Sequence, residues 1–354
     1  MRRRKLVWAM LGLLALTLGL LSCVWIWAVL PGPSSGRVET VDVPPSVANG
    51  DLGRFLAERG FVKSPRLFQL YLRLVRPSLD IVPGKHLLSD ADGPRRLLQR
   101  LGRLPNRPTV KVTIPEGFHH VLVAERLAKA EVCDRDAFIA SVRSPSLLRE
   151  LSIRGPSAEG LLFPATYEFA VDSSGDAVVR QMVKTFRKRF DRLAARFRGA
   201  VEGYAKGRSW GEHEIVTLAS IVERESRHAD ERSRIAGVYL NRLDSAEFKP
   251  SKRLQADPTA AYGCVVSAAT IPSCAGFGGK VTPAMLRDPT NAYNTYAHSG
   301  LPPGPIANPG EGSLAAVLAP EKSDYLFFVA RGDGRHTFSR TLDEHRRATP
   351  GTPE

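Results

Sequence analysis

The sequence predicts an α+β protein with an N-terminal transmembrane helix, a small α+β subdomain and a larger mixed α+β domain. Three observations support this: a charge-free apolar run after a basic start, a strand-and-helix pattern that occurs twice, and long helical periodicities in the second half. The chain has 354 residues, of which 43% are hydrophobic. A chain of this length and composition buries at least one substantial core, which excludes a disordered protein.

The first residues predict a membrane anchor. The basic stretch Arg2–Lys5 precedes Leu6–Leu30, a run that contains no charged residue. At ~1.5 Å per residue, a helix of this length crosses a hydrocarbon core of about 30 Å. The sequence therefore predicts a cytoplasmic tail at 1–5, a single transmembrane helix at 6–30 and a Pro- and Gly-rich linker at 31–36, with the rest of the chain on the far side of the membrane.

Two other interpretations of this segment stay open. Signal sequences share its charged start and apolar middle, although the run is long for a cleavable one. Leu20–Cys23 is similar to a lipoprotein cleavage box, which would place a lipid on Cys23. The apolar Val24–Trp27 follows it, however, where polar residues are expected.

Charge and cysteine content limit the classes of partner and ligand. The net charge of +14 favours polyanionic partners, which include nucleic acid, anionic lipid and a cell-wall polymer. We predict no nucleic-acid partner, because no zinc-finger, RNA-binding or helix-turn-helix signature is present. We also predict no metal site and no cofactor, because the four cysteines lack metal-ligand spacing. Cys264 and Cys274 either close a local disulfide, which leaves Cys133 unpaired, or all three cysteines are simply small buried residues.

A repeat organises the region after the linker. Pro44 and Pro115 lie 71 positions apart, and each ends an alternating strand that an amphipathic helix follows. The matching positions are Val41–Pro44, Leu56, Ala57 and Phe68 in the first copy, and Val112–Pro115, Leu127, Ala128 and Phe138 in the second. Residues 82–88 indicate a further short strand, and 93–102 a further helix. This layout at 37–110 resembles a LysM-type carbohydrate-binding unit, with a plain structural subdomain as the alternative.

A long basic helix is predicted from Asp176 to Arg198. Its apolar residues occur at helical spacing and are Val179, Met182, Val183, Phe186, Phe190, Leu193 and Phe197. Its basic residues, among them Arg187 and Lys188, are interpreted as a solvated face rather than a nucleic-acid stripe.

The segment Glu212–Arg227 carries the chemistry that the sequence suggests. It predicts one helix with two nearby carboxylates, Glu223 and Glu225, and at 100° per residue only Glu225 shares the apolar stripe of Ile215, Leu218, Ile221 and Val222. A carboxyl on a buried stripe holds its proton to higher pH, as a general acid for glycosidic cleavage must. The alternative is a glutamate paired with an inward-facing arginine.

Several long strings in one order resemble the endolytic murein transglycosylases of the MltG (YceG-like) type. They are Glu159–Tyr167, Leu218–Ser226, Tyr239–Leu243, Leu254–Thr259, Ala292–Tyr296, Gly300–Gly310 and His336–Ser339. The resemblance implies a catalytic domain at 111–346, and we predict a disordered tail at 347–354. It also implies a single-pass protein of the cell inner membrane whose bulk faces the periplasm, with peptidoglycan strands and peptidoglycan synthases as partners.

The resemblance implies a lytic reaction in which Glu225 protonates the glycosidic oxygen between N-acetylmuramic acid (MurNAc) and N-acetylglucosamine (GlcNAc). Glu225 then acts as base toward the C6 hydroxyl of MurNAc, which leaves a 1,6-anhydroMurNAc end. Cutting nascent strands in this way terminates glycan polymerisation. The residues expected to bind the sugars are Glu159, Gln255, Asn294, Tyr296 and Asn308.

Two other functions remain possible at this point. One is a non-catalytic peptidoglycan-binding scaffold of the elongation or division machinery. The other is an ordinary glycoside hydrolase, in which Glu159 or Asp257 faces Glu225 as the second carboxylate. Residues 264–280 depart from the family pattern as an insertion beside the expected cleft, which puts the family's preference among glycan strands in doubt.

Overall fold

A computed structural model describes residues 36–44, 51–75, 81–102 and 109–349, together with the single positions Gly19, Ser22, Trp27, Leu30 and Val47. The predicted cytoplasmic tail, most of the predicted transmembrane helix, the candidate lipidation site Cys23 and most of the linker lie outside these residues. Among the described residues, no helix is long and apolar enough to span a membrane. The chain divides into two compact units, 1–108 and 109–354.

The described residues of the first unit form two strands and three helices. They are β1 (Val38–Val43), α1 (Leu52–Glu58), α2 (Pro65–Val75), β2 (Gly84–Ser89) and α3 (Pro94–Leu101). The strands pair antiparallel, with Val38 opposite Ser89 and Val43 opposite Gly84. The short strand and the third helix expected between the repeats are therefore confirmed. The strand, helix, helix, strand order is the one that suggested a LysM-like unit, and carbohydrate binding by this unit stays a prediction.

The second unit contains four strands and eleven α-helices among its described residues. It begins with β3 (Thr109–Thr113), α4 (His120–Lys129), α5 (Arg135–Val142), α6 (Pro145–Glu150), β4 (Thr166–Ala170), α7 (Gly175–Arg196) and α8 (Arg198–Arg208). It continues with α9 (Glu212–Glu225), α10 (Arg232–Asp244), α11 (Asp257–Ser267), α12 (Pro283–Arg287), α13 (Glu311–Leu318), β5 (Phe327–Ala330), β6 (His336–Ser339) and α14 (Leu342–Ala348). Short 3₁₀ turns lie at Ala229–Glu231 and Pro272–Cys274. The strands form two antiparallel pairs, β3 with β4 and β5 with β6.

The sequence repeat is also a repeat of structure. β3 and β4 pair antiparallel, and α4, α5 and α6 lie between them in the chain. β1 and β2 pair in the same way, with α1 and α2 between them in the chain. The matched residues Leu56, Phe68, Leu127 and Phe138 are all fully buried. The predicted pattern of a strand followed by a helix is therefore confirmed in both copies.

The long basic helix is confirmed as α7, which begins at Gly175 and ends at Arg196. Six of its seven predicted apolar residues are buried, and Phe197 caps its C-terminus. Lys188, Arg189, Arg192 and Arg196 are exposed, as expected for a solvated face. Helix α14 ends only at Ala348, so it extends beyond residue 346, the predicted end of the catalytic domain.

Helix α9 passes through the core of the second unit and fixes the position of Glu225. All eight residues from Ile215 to Val222 are buried, and the helix packs against α10 and α13. A helix whose residues are buried on every side is surrounded by protein. The prediction of a single buried stripe is therefore wrong, and the position of Glu225 at the end of the helix, where it leaves the core, is what distinguishes this residue.

Cys264 and Cys274 form a disulfide that closes the insertion, while Cys133 is a free, buried thiol. Around the disulfide lie Ile271 and Met285, which form a small apolar cluster of their own with the two cysteines. The disulfide, rather than a set of isolated buried cysteines, is thus the arrangement present.

We expect the double substitution Cys264→Ser, Cys274→Ser to lower the free energy of unfolding of the second unit by about 2–3 kcal/mol, because a short closed loop restricts the unfolded chain by about that amount. Urea unfolding followed by circular dichroism measures this loss. Reductant should lower the stability of the parent protein and leave the double variant unchanged. Equal stabilities of the two proteins under oxidising conditions would contradict the expectation.

Candidate active site

Glu225 is the last residue of α9, and its side chain is half-buried. The helix ends there because Ser226 adopts an extended conformation, and the Ser226 hydroxyl donates to the backbone oxygen of His228. The hydroxyl of Tyr239, on the neighbouring helix α10, donates to Glu225 Oε1 over 3.0 Å. The carboxyl is therefore anchored by one buried phenol at the edge of the core.

The surroundings of Glu225 favour its protonated form. Burial raises its pKa to about 7, and the negative charge of Asp257 adds to this rise. The hydrogen bond from Tyr239 and the positive charges of Arg242 and Arg224 act in the opposite direction. A carboxyl with a pKa near 7 is protonated in a large fraction of molecules at neutral pH, as general acid catalysis requires.

Asp257 and Tyr296 lie together beside this carboxyl. Asp257 is the exposed first residue of α11, and the Tyr296 hydroxyl donates to its Oδ1 over 2.6 Å. Burial raises the pKa of Tyr296, and the charges of Asp257 and Glu225 raise it further. Tyr296 is thus one predicted site residue that the structure does bring to the vicinity of Glu225.

Gln255 belongs to the same edge. It precedes Asp257 by two positions, and its backbone N–H donates to the carbonyl of Thr295, next to Tyr296. Its φ of 53° lies in the left-handed region, which residues other than glycine adopt rarely and often at functional sites. Its half-buried side-chain amide has no hydrogen-bond partner among the described residues. Gln255 therefore stays a candidate sugar ligand.

Arg242 supports the site from within the core. Its guanidinium donates to the carbonyl oxygens of Leu254 and Leu326, and only 6% of the residue is exposed. Among the described residues, no carboxylate lies within ion-pair distance of it. It lies close to four aromatic rings, those of Tyr239, Phe248, Phe327 and Phe328.

Glu159, one of the predicted sugar ligands, is an interior residue bonded to protein donors. It is 2% exposed, and its carboxylate accepts hydrogen bonds from the His120 backbone, the Tyr262 hydroxyl and the Asn308 amide. His120 Nδ1 lies 2.5 Å from the same carboxylate. Burial alone would raise the pKa of Glu159, but these contacts with His120 hold it below its ordinary value. Glu159 therefore joins α4, α11 and the loop before α13, and has no lone pair left for a sugar.

Asn308 and Asn294 are likewise interior residues, each with no exposed surface. The Asn308 amide donates to Glu159 and to the Phe118 carbonyl, and its oxygen accepts from Leu162 N–H. The Asn294 amide donates to three carbonyls, those of Met285, Leu286 and Asp288. Both asparagines fix loops through hydrogen bonds within the protein, so the structure does not support the prediction that they bind sugar.

Glu223 shows the arrangement that was the alternative for Glu225. Its carboxylate accepts from Gly310 N–H and the Ser313 hydroxyl, and Arg232 lies 3.4 Å away. These contacts dock the start of α13 onto α9. Glu223 is thus a structural carboxylate, and the two glutamates differ in their partners more than in their burial.

Sequence reasoning missed Tyr239 and Arg242 as site residues, and it considered Asp257 only as a possible second carboxylate of a hydrolase. Tyr239 and Arg242 are three positions apart on one helix, so they share a face, and that spacing was the available signal. Among the described residues, no cluster of His, Cys, Asp or Glu is arranged to hold a metal ion. A cavity of about 280 Å³ lies at the opposite end of α9, lined in part by Gly211, Glu212 and His213, and Glu225 does not line it.

We expect Glu225→Gln to change how stability depends on pH. The pKa of Glu225 rises from 4.5 to about 7 on folding, so its contribution to stability is fully present below pH 4.5 and is lost as pH rises through 7. Glutamine does not titrate, so the variant should gain about 1–3 kcal/mol relative to the parent between pH 5 and pH 8, discounted for partial exposure. Urea unfolding at the two pH values measures the gain, and parallel pH dependences would contradict it.

Several known proteins are similar to this chain in sequence and in fold. The model of the YceG-like family matches residues 41–350. The endolytic murein transglycosylase of Bacillus subtilis (strain 168) is 27% identical over 325 residues, which are 87% of this chain and 83% of that protein. The protein of the same name from Streptococcus pneumoniae (strain D39) is 25% identical over 340 residues, 89% of this chain but only 58% of its own length.

The crystal structure of a yceG-like protein from Listeria monocytogenes has a TM-score of 0.55 and 29% sequence identity to this chain. The match covers 89% of this chain and 100% of that chain. The family match alone spans well over half of the sequence, including Glu225 and every side chain placed around it. This chain therefore belongs to the YceG-like family.

Proposed function

We propose that this protein is an endolytic peptidoglycan lytic transglycosylase that cleaves the bond between MurNAc and GlcNAc in nascent glycan strands. The cleavage leaves 1,6-anhydroMurNAc ends and terminates glycan polymerisation. The observation that carries this proposal is the half-buried carboxyl of Glu225, whose pKa is raised to about 7. Its relatives named endolytic murein transglycosylases support the same reaction class.

The proposed reaction needs one acid that becomes a base. Glu225 gives its proton to the glycosidic oxygen as the C1–O bond breaks, and the electron pair of that bond stays with the departing GlcNAc oxygen. The C6 hydroxyl of the same MurNAc then bonds to C1, and its proton returns to the Glu225 carboxylate. No water is consumed, and the attacking hydroxyl is already close to C1 because both belong to one sugar.

Gln255 and Tyr296 are the remaining candidates for contacts with the sugars. The amide of Gln255 suits hydroxyl and N-acetyl groups, and the phenol of Tyr296 lies beside Asp257 at the same edge. An aromatic ring also provides an apolar surface for a sugar face. Together with Glu225 they form one polar edge that a glycan strand would cross.

One observation favours a second candidate function, an ordinary glycoside hydrolase. Asp257 is exposed and close enough to Glu225 to raise its pKa, so a second carboxylate is present beside the acid. In hydrolases such a carboxylate activates water or acts as nucleophile. Glu159, the other carboxylate considered for that role, is fully occupied by protein donors.

We place the protein in the cell inner membrane as a single-pass protein with its bulk facing the periplasm. The basic start and the apolar run at 6–30 support this, as does the Cys264–Cys274 disulfide, since disulfides persist in oxidising compartments. The net charge of +14 suits an acidic wall polymer and anionic lipid rather than a specific nucleic acid. Peptidoglycan synthases are the proposed protein partners, because nascent strands emerge from them.

Product masses test the proposal. Purified full-length protein is incubated with uncrosslinked glycan strands, and the fragments are weighed by mass spectrometry. Lytic cleavage gives anhydro ends, each lighter by one water molecule than the reducing ends that a hydrolase leaves. Reducing ends would favour the hydrolase. Absence of any fragment, with binding retained, would favour the non-catalytic scaffold of the elongation or division machinery.

A further inference from the structure

The two oxygens of the Glu225 carboxyl have different surroundings. Oε1 accepts a hydrogen bond of 3.0 Å from Tyr239, whose ring is fully buried on α10. Among the described residues, no protein donor bonds Oε2. A carboxylic acid held through one oxygen carries its proton on the other, because the oxygen that accepts from a hydroxyl is the carbonyl oxygen. The geometry therefore selects Oε2 as the acidic atom.

Arg242 lies close to the ring of Tyr239. Its guanidinium carbon lies 5.7 Å from the centre of the Tyr239 ring, and its own hydrogen bonds go to two backbone carbonyls. A buried positive charge near a phenol strengthens its O–H as a donor. Burial and the charge of Glu225 nevertheless hold the pKa of Tyr239 well above its usual value, so the hydroxyl keeps its proton and remains a donor to Glu225.

Asp257 acts on Glu225 with the opposite sign. Its carboxylate is oriented by the Tyr296 hydroxyl, 2.6 Å from Oδ1. Four neighbouring segments bring charged or titratable groups near Glu225. These groups are Tyr239 and Arg242 on α10, Asp257 on α11, Tyr296 in the loop that precedes α13, and Arg224 on α9 itself. The hydrogen bond from Tyr239 favours the ionised carboxyl, while the negative charge of Asp257 favours the protonated one.

We propose that Tyr239 is a positioning residue that fixes Oε1 of Glu225, so that Oε2 gives the proton to the glycosidic oxygen and later takes it from the C6 hydroxyl. Asp257, held by Tyr296, is the opposing charge that adds to the effect of burial in favouring the proton on Oε2. This inference rests on the proposed function and adds two groups that adjust, in opposite directions, the working pH range of its acid.

The test is a pair of variants with opposite effects, Tyr239→Phe and Asp257→Asn, whose kcat/KM on uncrosslinked glycan strands is followed against pH. In the parent protein the rate should fall above about pH 7, as Glu225 loses its proton. Tyr239→Phe removes the donor and should move this fall to higher pH by about one unit. Asp257→Asn removes the negative charge and should move it to lower pH.

Positioning predicts a second signature. Tyr239→Phe should lower kcat by roughly tenfold or more, with little change in KM, because the acid is no longer aimed while the sugar contacts remain. Tyr204→Phe is the matched control, since its hydroxyl donates to the Val317 carbonyl and not to a carboxyl group. That control should retain the parent pH profile.

The proposal would be overturned if kcat/KM of Tyr239→Phe fell at the same pH as in the parent, or at a lower pH. A shift to higher pH in Asp257→Asn would do the same, and this variant changes an exposed residue, so it keeps the test valid if Tyr239→Phe does not fold. If the parent makes anhydro ends and neither variant shifts the fall, this inference alone fails. If the parent makes no anhydro ends, the proposed function fails as well.

Discussion

Glu225→Gln is expected to lower the rate of glycan cleavage by at least about a thousandfold. General acid–base catalysis contributes roughly 10²–10⁴ in rate, and this one carboxyl serves as both acid and base. Glutamine keeps the shape of the side chain and can still accept the Tyr239 hydrogen bond, so binding of the strand should persist. The release of anhydro fragments from uncrosslinked strands measures the rate.

The matched control for this experiment is Glu212→Gln. Glu212 is the first residue of the same helix, and burial raises its pKa too, but it lies at the opposite end and pairs with Arg187 at 3.0 Å. Its loss should leave the cleavage rate within a few-fold of the parent. A Glu225→Gln variant with the parent rate, or a Glu212→Gln variant as inactive as Glu225→Gln, would remove the basis for assigning the acid.

Glu159→Ala is expected to lower the free energy of unfolding of the second unit by about 3–5 kcal/mol, because it leaves buried donors without an acceptor. Those donors belong to His120, Tyr262 and Asn308, from three separate parts of the chain. Urea unfolding at pH 7 measures the change. The loss should be largest near neutral pH and shrink as pH falls through the lowered pKa of Glu159.

Glu150→Ala serves as the comparison for Glu159→Ala. Glu150 is exposed and accepts two hydrogen bonds from Arg180, so its removal should lower the free energy of unfolding far less than removal of Glu159 does. Equal losses in the two variants would mean that the buried carboxylate has no special structural role. Wild-type stability in Glu159→Ala together with weaker glycan binding would restore the sugar-binding role that the sequence suggested.

The sequence allowed the main elements to be predicted where the signal is local. The strand-and-helix repeat and the long basic helix follow from hydrophobic periodicity within short windows, and α7 lies within two residues of its predicted bounds. The burial of α9 on all sides was not predictable in the same way. That burial comes from α10 and α13, which lie elsewhere in the chain.

Only part of the site was predicted, because some of its residues have a local sequence signal and others depend on contacts between distant parts of the chain. Glu225 combines a local signal, its place on an apolar helix, with a family resemblance, and Tyr296 and Gln255 lie in loops beside it. Glu159 and Asn308 are 149 positions apart in the chain, yet they hydrogen-bond to each other in the interior. Their type and loop position match those of sugar ligands, and only the long-range contact shows that they are structural. Asn294 misleads for a different reason, since its amide donates to three carbonyls close by in the chain, and residue type alone does not show that its loop folds back in this way.

The measurement that tests the central claim most directly is a titration of the Glu225 carboxyl itself. The side-chain carboxyl carbons of glutamate are labelled with carbon-13 in the full-length protein, and their chemical shifts are followed against pH by NMR. Glu225→Gln identifies the resonance by its disappearance. We expect this resonance to titrate near pH 7, where the carboxyl can still hold a proton for the glycosidic oxygen. A midpoint near the ordinary glutamate value of about 4.3 would contradict the account.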